Sequence, residues 1–177
     1  MRGDVDIATR DGLLTRNETG TMTTFTYTRE FEIAWAHCDP AGIVFNPRFF
    51  EFFDTSSWGL FEAALGVNQH EFAARYGIVG IGLVDARGNF MRPCAFGDTV
   101  QIVSRVAEFR RSSFDVEHKI VNRGEVAVEG RESRVWAVRR KDDPDTITTA
   151  PRLLRRSGIS WKTATAKIPP NTRRSSV

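Results

Sequence analysis

The protein has 177 residues, of which 41% are hydrophobic and 27% are charged, and its formal net charge is +3. This composition is sufficient for one domain with a hydrophobic core, and no apolar run is long enough to span a bilayer, which excludes a membrane-spanning protein. Two cysteines, Cys38 and Cys94, are too few for a disulfide framework and favour a reducing, cytoplasmic environment.

The chain begins with a polar segment, residues 1–23, which carries charges of both signs and lacks the apolar stretch of a signal peptide. We therefore expect a disordered extension there, followed by a domain over residues 24–141. Residues 24–35 alternate apolar and polar side chains, which is the pattern of a half-buried strand. This strand leads directly into the segment that contains Asp39.

A long helix is predicted next, over residues 47–65. Asn46 is a preferred N-cap residue, Pro47 suits the first helical position, and Gly66 suits a left-handed C-terminal cap. Between these ends, aromatic and aliphatic side chains recur at spacings of three and four and cover most of the circumference. The pattern predicts a helix of about 20 residues, roughly 30 Å long, that is buried on most sides.

The rest of the domain is predicted to contain one short helix and four strands. They span residues 67–77 for the helix and residues 78–90, 99–108, 113–122 and 126–139 for the strands. Short connections make successive strands antiparallel neighbours. One buried helix and one such sheet predict an α+β structure in which the sheet curls around the helix, and the edges and outer face of the sheet favour self-association.

Three motifs occur in the same order and at similar spacing in a known family. They are HCDPAGIVFNPRFF at residues 37–50, GIVG at residues 77–80 and FRRSSF at residues 109–114. In these motifs the chain resembles the 4-hydroxybenzoyl-CoA thioesterase family, in the branch with an Asp-Pro-Ala-Gly-Ile-Val run, over nearly the whole predicted domain. The resemblance implies a hotdog fold, in which a curled antiparallel sheet wraps a long central helix. It also implies a homodimer or homotetramer with active sites at subunit interfaces.

Asp39 is the predicted catalytic carboxylate. A thioester carbonyl accumulates negative charge on oxygen while its carbon is attacked, so the reaction needs a base or nucleophile near the carbon and N–H donors near the oxygen. The resemblance assigns Asp39 as nucleophile or general base and the main-chain amide of Asn46 as the partner of the carbonyl. The sequence leaves open whether an acyl anhydride forms or water is activated. The alternative role of Asp39 is that of an ordinary Asp-Pro turn.

Three further residues are predicted to contact the acyl group. Asp54 matches an acidic position that helps to form the aryl pocket in the family, and Ile81 follows the GIVG motif. His37 lies two residues before Asp39 and could share its face, although a supporting or solvent-facing position is the preferred interpretation. A carboxylate such as that of Asp54 on so apolar a helix must find a partner or face a cavity or water.

The CoA nucleotide is predicted to bind at the turn before the third of the four later strands. Guanidinium groups suit phosphate oxygens, and the resemblance implies that Arg110 and Arg111 grip the phosphates of CoA, with Ser113 adding a hydroxyl contact. The alternative is a pair of solvated arginines beside a hairpin.

Two positions differ from the family members that act on the 4-hydroxybenzoyl group. Asn46 stands where those members often carry Tyr, and Ile81 stands where they often carry a hydroxylic residue. A pocket that hydrogen-bonds a phenol discriminates strongly, and an apolar replacement removes that hydrogen bond. The acyl group therefore stays open among benzoyl, salicyl, gentisyl and other bulky aryl groups.

The resulting hypothesis is a cytoplasmic hydrolase for an aromatic acyl-CoA, with water as second substrate and no cofactor. No metal is predicted, because His70 and His118 lack neighbours at ligand spacing. Residues 142–177 are expected to be partly ordered and then to form a solvated basic tail, so neither nucleic acid nor membrane is a predicted partner. The alternatives are a thioesterase for short or medium aliphatic acyl-CoA or acyl carrier protein, and a non-catalytic acyl-CoA-binding regulator.

Overall fold

The computed structural model describes residues 14–16, 22–110, 112–143 and 145–149. Its elements are β1 (Leu14–Arg16), β2 (Met22–Thr24), β3 (Thr26–Glu32), a 3₁₀ turn (Trp35–His37), α1 (Asn46–Leu65), α2 (Glu71–Tyr76), β4 (Ile78–Phe90), β5 (Thr99–Phe109), β6 (Ser113–Asn122), β7 (Glu125–Arg139) and β8 (Ile147–Thr149). An antiparallel sheet has the order β3-β5-β6-β7-β4, and β8 pairs with β7. None of the helices in the described part of the chain is long and apolar enough to cross a membrane.

α1 is the central element, and strands from both edges and the middle of the sheet contact it. One core cluster joins its C-terminal half to Phe114 and Trp136, and a second joins its N-terminal half to Ile102 and Ile120. The helix ends at Gly66, which adopts a left-handed conformation with a φ of 65°. The sheet therefore wraps the helix, as the hydrophobic pattern predicts.

The start of α1 differs by one residue from the prediction. Phe45, with extended backbone angles, is the N-cap residue, and Asn46 is the first helical residue and makes no side-chain cap. The reason is that the main-chain N–H of Phe45 donates to the carbonyl of His37 at 3.0 Å, which fixes Phe45 as the last residue of the preceding loop. The Asn46 amide is thus the first free donor of the helix.

β4 and β5 are not neighbours, which corrects the prediction that all successive strands pair. β4 lies at one edge of the sheet against β7, whereas β5 lies between β3 and β6. The connection, residues 91–98, passes beside the loop before α1. Its Cys94 carbonyl accepts from the Val44 N–H at 2.8 Å, and its Phe96 N–H donates to the Gly42 carbonyl at 3.1 Å. These bonds fasten the loop that contains Asp39.

The first strand of the domain is also shorter than predicted. β3 ends at Glu32, because the main chain of Ile33 bonds to Gly97 and Asp98 and the next residues turn into the 3₁₀ segment.

Short strands lie at both ends of the predicted domain, and the one at the C-terminal end falls in the segment expected to be partly ordered. Residues 14–16 pair with residues 22–24 as a two-stranded antiparallel ribbon within the segment predicted to be disordered. At the other end, β8 adds to the sheet beyond residue 141. The remaining parts of the predicted extension and basic tail, residues 1–13, 17–21 and 150–177, lie outside the described residues.

Candidate active site

A tight loop presents Asp39 immediately before α1. Cys38 and Val44 form an antiparallel bridge, and the Asp39 N–H donates to the Ile43 carbonyl at 2.9 Å. Gly42, with a φ of 78°, closes the turn by donating its N–H to the Asp39 carbonyl at 2.9 Å. A residue with a side chain would be strained at that backbone angle, so glycine is required there. The loop therefore holds the Asp39 carboxylate in a fixed position.

The Asp39 side chain is fixed at one oxygen and available at the other. The Ala41 N–H donates to Oδ1 at 2.9 Å, as expected for an Asp at a turn. Oδ2 has no hydrogen-bond partner in the described part of the chain, and the residue is half-buried. A turn role and a chemical role are thus both compatible with the geometry.

The N-terminus of α1 lies seven residues after Asp39 and presents an unpaired main-chain N–H. No described residue accepts a hydrogen bond from the Asn46 N–H. Free N–H groups at a helix start, together with the helix dipole, stabilise negative charge. The loop and the helix start thus place a carboxylate and a free N–H donor in one short segment of the chain.

His37 has a supporting position. Its Nδ1 accepts from the Ala34 N–H at 3.0 Å, so a neutral ring carries its proton on Nε2. The ring packs edge-on against Phe31 and Phe52, with centroid separations of 6.3 and 5.1 Å. These contacts favour the interpretation of His37 as a residue that supports the Asp39 loop.

Asp54 and Ile81, the two residues predicted to line the acyl pocket, are joined by Arg134. Arg134 Nη2 donates to Asp54 Oδ1 at 2.7 Å, and Nη1 donates to the Ile81 carbonyl at 3.0 Å. The Asp54 side chain is 51% exposed, whereas that of Arg134 is 1% exposed. The Ile81 side chain itself is buried in the core cluster around the C-terminal half of α1. The guanidinium thus connects the helix to the edge strand.

Behind Asp54 lies a buried polar network that the sequence analysis missed. Arg134 binds Glu132 through Nε and Nη2, at 2.9 and 2.8 Å, and Glu132 Oε2 also accepts from Ser57 Oγ at 2.6 Å. His118 Nε2 lies 3.1 Å from the same oxygen, and His118 Nδ1 lies 2.8 Å from Ser104 Oγ. All five residues are at most 1% exposed. They connect α1 to three adjacent strands.

The charges in this network follow from its burial. Burial alone would raise the pKa of Glu132, but hydrogen bonds from His118 and Arg134 and the positive charge of Arg134 lower it to about 2. Burial lowers the pKa of His118, more than its contact with Glu132 raises it. His118 is therefore neutral at neutral pH, donates through Nε2 and accepts from Ser104 through Nδ1.

Ser57, His118 and Glu132 are the residue types of a hydrolytic triad, but their arrangement differs. The Ser57 hydroxyl donates directly to Glu132 instead of to the histidine, so it is not activated as a nucleophile. A substrate also could not reach a side chain that is fully buried. The sequence did contain a signal: His118 occupies an inward position of β6, between Val116 and Ile120, where a polar residue must find a partner.

Arg110, one of the residues predicted to bind the CoA phosphates, is paired with acidic side chains. Arg110 forms a two-pronged contact with Asp115, at 2.8 and 2.5 Å, and approaches Glu108 at 2.9 Å. Burial would raise the pKa of Asp115, but hydrogen bonds from Arg110, Arg131 and other donors hold it well below its usual range. Ser113 accepts the Arg110 N–H through its carbonyl at 2.7 Å.

Arg111, the other half of the predicted pair, lies outside the described residues. Within the described ranges, no group of three or more His, Cys, Asp or Glu side chains could hold a metal ion. Burial raises the pKa of the Cys94 thiol to about 11, so this cysteine is a packing residue at neutral pH.

Comparison of the sequence with known proteins identifies one matching family and one similar enzyme. The model of the thioesterase-like superfamily matches residues 33–174. A 4-hydroxybenzoyl-CoA thioesterase from Pseudomonas sp. (strain CBS-3) is 29% identical over 93 residues, which cover 52% of this chain and 66% of that protein, less than two thirds of its length.

Solved structures extend the likeness to the fold. The structure of the 4-hydroxybenzoyl-CoA thioesterase from the same Pseudomonas strain has a TM-score of 0.64 at 24% identity, covering 71% of this chain and 92% of that one. A gentisyl-coenzyme A thioesterase has a TM-score of 0.61 at 28% identity, covering 71% of this chain and 94% of its own. Together with the observed topology, these likenesses confirm the predicted α+β hotdog fold.

Proposed function

Because the chain belongs to the thioesterase-like superfamily, as its motifs predict, we propose that it hydrolyses an aromatic acyl-CoA thioester to the free acid and CoA. The acyl group is of the benzoyl or hydroxybenzoyl type, including salicyl- and gentisyl-like groups. The observation that carries this proposal is the half-buried Asp39 carboxylate on a rigid loop directly before the free N–H groups of α1. The names of two relatives, a 4-hydroxybenzoyl-CoA and a gentisyl-CoA thioesterase, support the substrate class.

The chemistry assigns one task to each group. Asp39 acts through its free oxygen, Oδ2, either by attacking the thioester carbon or by taking a proton from water that attacks it. The Asn46 N–H donates to the carbonyl oxygen as negative charge develops there, assisted by the helix dipole. Sulfur leaves as the CoA thiolate. Water is the second substrate, and the reaction as proposed uses no cofactor.

The acyl pocket in this proposal contains Asp54 and lies beside Ile81, with His37 supporting the catalytic loop. The half-exposed carboxylate of Asp54 supports a pocket with one polar wall on an otherwise apolar helix. The CoA phosphates are proposed to bind near Arg110, Arg111 and Ser113. For Arg110, phosphate would have to compete with the carboxylates of Asp115 and Glu108.

We also propose that the protein forms a homodimer or homotetramer in the cytoplasm. β4 pairs only with β7 among the described strands, so its outer edge is open. Leu83 and Val84 on this strand are 51% and 66% exposed. An open edge with exposed apolar side chains supports pairing with a second copy.

A substrate panel tests the proposed reaction. Loss of thioester absorbance is followed for benzoyl-, salicyl-, gentisyl- and 4-hydroxybenzoyl-CoA, for straight-chain acyl-CoA compounds, and for an acyl carrier protein thioester. Direct absorbance avoids thiol reagents, which would also react with cysteines of the protein. We expect kcat/KM for the best aryl-CoA to exceed that for every straight-chain compound by about tenfold or more.

Two outcomes would overturn this proposal. If a straight-chain or carrier-protein thioester is hydrolysed best, the enzyme is an aliphatic thioesterase. If the protein binds acyl-CoA without turning over any compound, it is a binding protein and the catalytic assignment is wrong.

A further inference from the structure

We propose that Arg134 is a positioning residue, which acts from inside the core by fixing the Asp54 carboxylate at the acyl pocket and so sets the choice of acyl group. This inference rests on the proposed function, because Asp54 matters to specificity only if an acyl group lies beside it. Arg134 itself touches no substrate.

The first observation is the contrast in burial across one ion pair. The Arg134 side chain is 1% exposed and the Asp54 side chain 51% exposed, yet Arg134 Nη2 and Asp54 Oδ1 are 2.7 Å apart. Only one carboxylate oxygen is held, and Oδ2 has no partner in the described part of the chain. The pair therefore presents one oxygen of Asp54 outward in a fixed orientation.

The second observation is that the guanidinium cannot turn. Two of its bonds go to Glu132 on β7, a third goes to the Ile81 carbonyl on β4, and the fourth goes to Asp54 on α1. A planar guanidinium with four directed bonds to three elements has one available orientation. The position of Asp54 is consequently tied to that of Ile81, the other predicted pocket residue.

The third observation is the support behind Glu132. Its Oε2 accepts from Ser57 and His118 as well as from Arg134, and Ser104 holds the far nitrogen of His118. A buried carboxylate with these donors stays ionised and in place. It keeps Arg134 charged and directed toward Asp54. A core that only needed to be filled would use apolar side chains at no desolvation cost.

The test compares discrimination between acyl groups in matched variants. Removing Arg134 alone would leave Glu132 buried without its cation, so the main variant is Glu132→Gln with Arg134→Met, and Arg134→Lys is a milder second variant. Arg140→Met is the control, because Arg140 pairs with Asp142 through an exposed contact outside β4. Circular dichroism and thermal melting establish that each variant is folded.

Binding is measured by calorimetry with non-hydrolysable thioether analogues of benzoyl-, hydroxybenzoyl- and straight-chain acyl-CoA. We expect the ratio of Kd values between the poorest and the best acyl group to fall by about tenfold in the double variant, the size of one hydrogen bond to a charged group, and less in Arg134→Lys. In Asp54→Asn the ratio of Kd values should fall by a similar factor. Adding Asp54→Asn to the double variant should lower the ratio little further, because both changes act on one carboxylate.

The outcomes separate this inference from the proposed reaction. An unchanged Kd ratio in both Arg134 variants would overturn the inference even if the enzyme is an active thioesterase. So would an equal weakening of all analogues, which a merely structural role predicts. Absence of turnover by the wild type refutes the proposed reaction, while the binding ratios still test Arg134. Failure of the wild type to bind any analogue would overturn both.

Discussion

Asp39 and Asp54 share one arrangement: each carboxylate is held by a single oxygen and leaves the other oxygen available. In Asp39 the holding donor is a main-chain N–H of its own loop, and in Asp54 it is the buried Arg134. A carboxylate fixed in this way loses little freedom when it meets a substrate, which is the condition for a pre-organised site. In the proposed function, Asp39 therefore performs the chemistry and Asp54 recognises the acyl group.

The proposed oxyanion donor is the main-chain amide of Asn46, so the side chain of Asn46 should contribute little to kcat. Asn46→Ala should retain kcat within about threefold, since the N–H remains. Asn46→Pro removes the N–H at a first helical position, where proline is tolerated, and should lower kcat by about 10²-fold. The extended backbone of Phe45, with a ψ of 120°, suits a residue that precedes proline. Equal activity of the alanine and proline variants would contradict this assignment.

Acid should weaken the fold through Glu132. Its pKa in the folded protein, about 2, lies below the ordinary value of 4.5, so its stabilisation is present above pH 4.5 and is lost as pH falls toward 2. The difference in unfolding free energy between wild type and Glu132→Gln should therefore shrink by roughly 2 kcal/mol between about pH 6 and about pH 3. Urea denaturation at several pH values measures this difference.

The control for that experiment is Glu129→Gln on the same strand. Glu129 is exposed and lies 3.7 Å from Lys119. Because an exposed ion pair is worth little, the unfolding free energy of Glu129→Gln should stay within about 1 kcal/mol of wild type. A flat profile for Glu132→Gln as well would mean that the pKa of Glu132 is the same in the folded and the unfolded protein.

Candidate site residues could be grouped from the sequence where they lie close together in the chain. Asp39, Asn46 and Gly42 fall within one continuous motif, and the structure brings them to one loop and helix start. Arg134 and Glu132 could not be connected to Asp54 in this way, because they lie about 80 residues away in the chain and meet it only through the fold. Arg110 and Asp115 lie in one hairpin, but their pairing depends on the geometry of the turn between β5 and β6, which the sequence does not specify.

Among the elements, the close approach of α1 to the sheet depends on two glycines. A Cβ on Gly130 would lie 2.5 Å from the ring of Phe53, which is fully buried and stacks on His118 with a centroid separation of 4.8 Å. A Cβ on Gly59 would lie 2.6 Å from the hydroxyl of Tyr27. The helix and sheet are thus in direct contact next to the buried network.

Gly130→Ala should therefore destabilise the protein by about 1–3 kcal/mol through overpacking. Gly80→Ala is the matched control, since a Cβ there meets nothing within 4 Å and the residue also lies in a paired strand. The control should stay within about 0.5 kcal/mol of wild type. Chemical denaturation measures both, and equal stability of the two variants would show that Phe53 can move away.

The elements themselves were largely predictable, because their signals lie in consecutive residues. β4 and β6 have the predicted limits, and α1 differs only in the role of its first residue. The pairing of β4 with β7 was not predictable from short connections. It depends on residues 91–98 crossing the end of the sheet to reach the Asp39 loop, and the sequence of that segment does not specify a direction.

For the whole molecule, the open edge of β4 predicts that assembly depends on this strand. Val84→Lys places a charge on the exposed edge and should shift the protein toward monomer, as measured by light scattering at several concentrations. Ile147→Lys is the control, since Ile147 is 59% exposed on β8. An unchanged assembly in Val84→Lys, or a monomeric wild type, would exclude this edge as the interface.

The proposal that Asp39 performs the chemistry is tested most directly by the hydrolysis of the best aryl-CoA by Asp39→Asn. The substitution preserves shape and the contact with Ala41 while removing the charge. Asp142→Asn is the control, since Asp142 is an exposed aspartate that follows β7. We expect kcat to fall by about 10²-fold or more in Asp39→Asn and to be unchanged in the control. Activity of Asp39→Asn equal to wild type would mean that Asp39 is only a turn residue and that the chemistry takes place elsewhere.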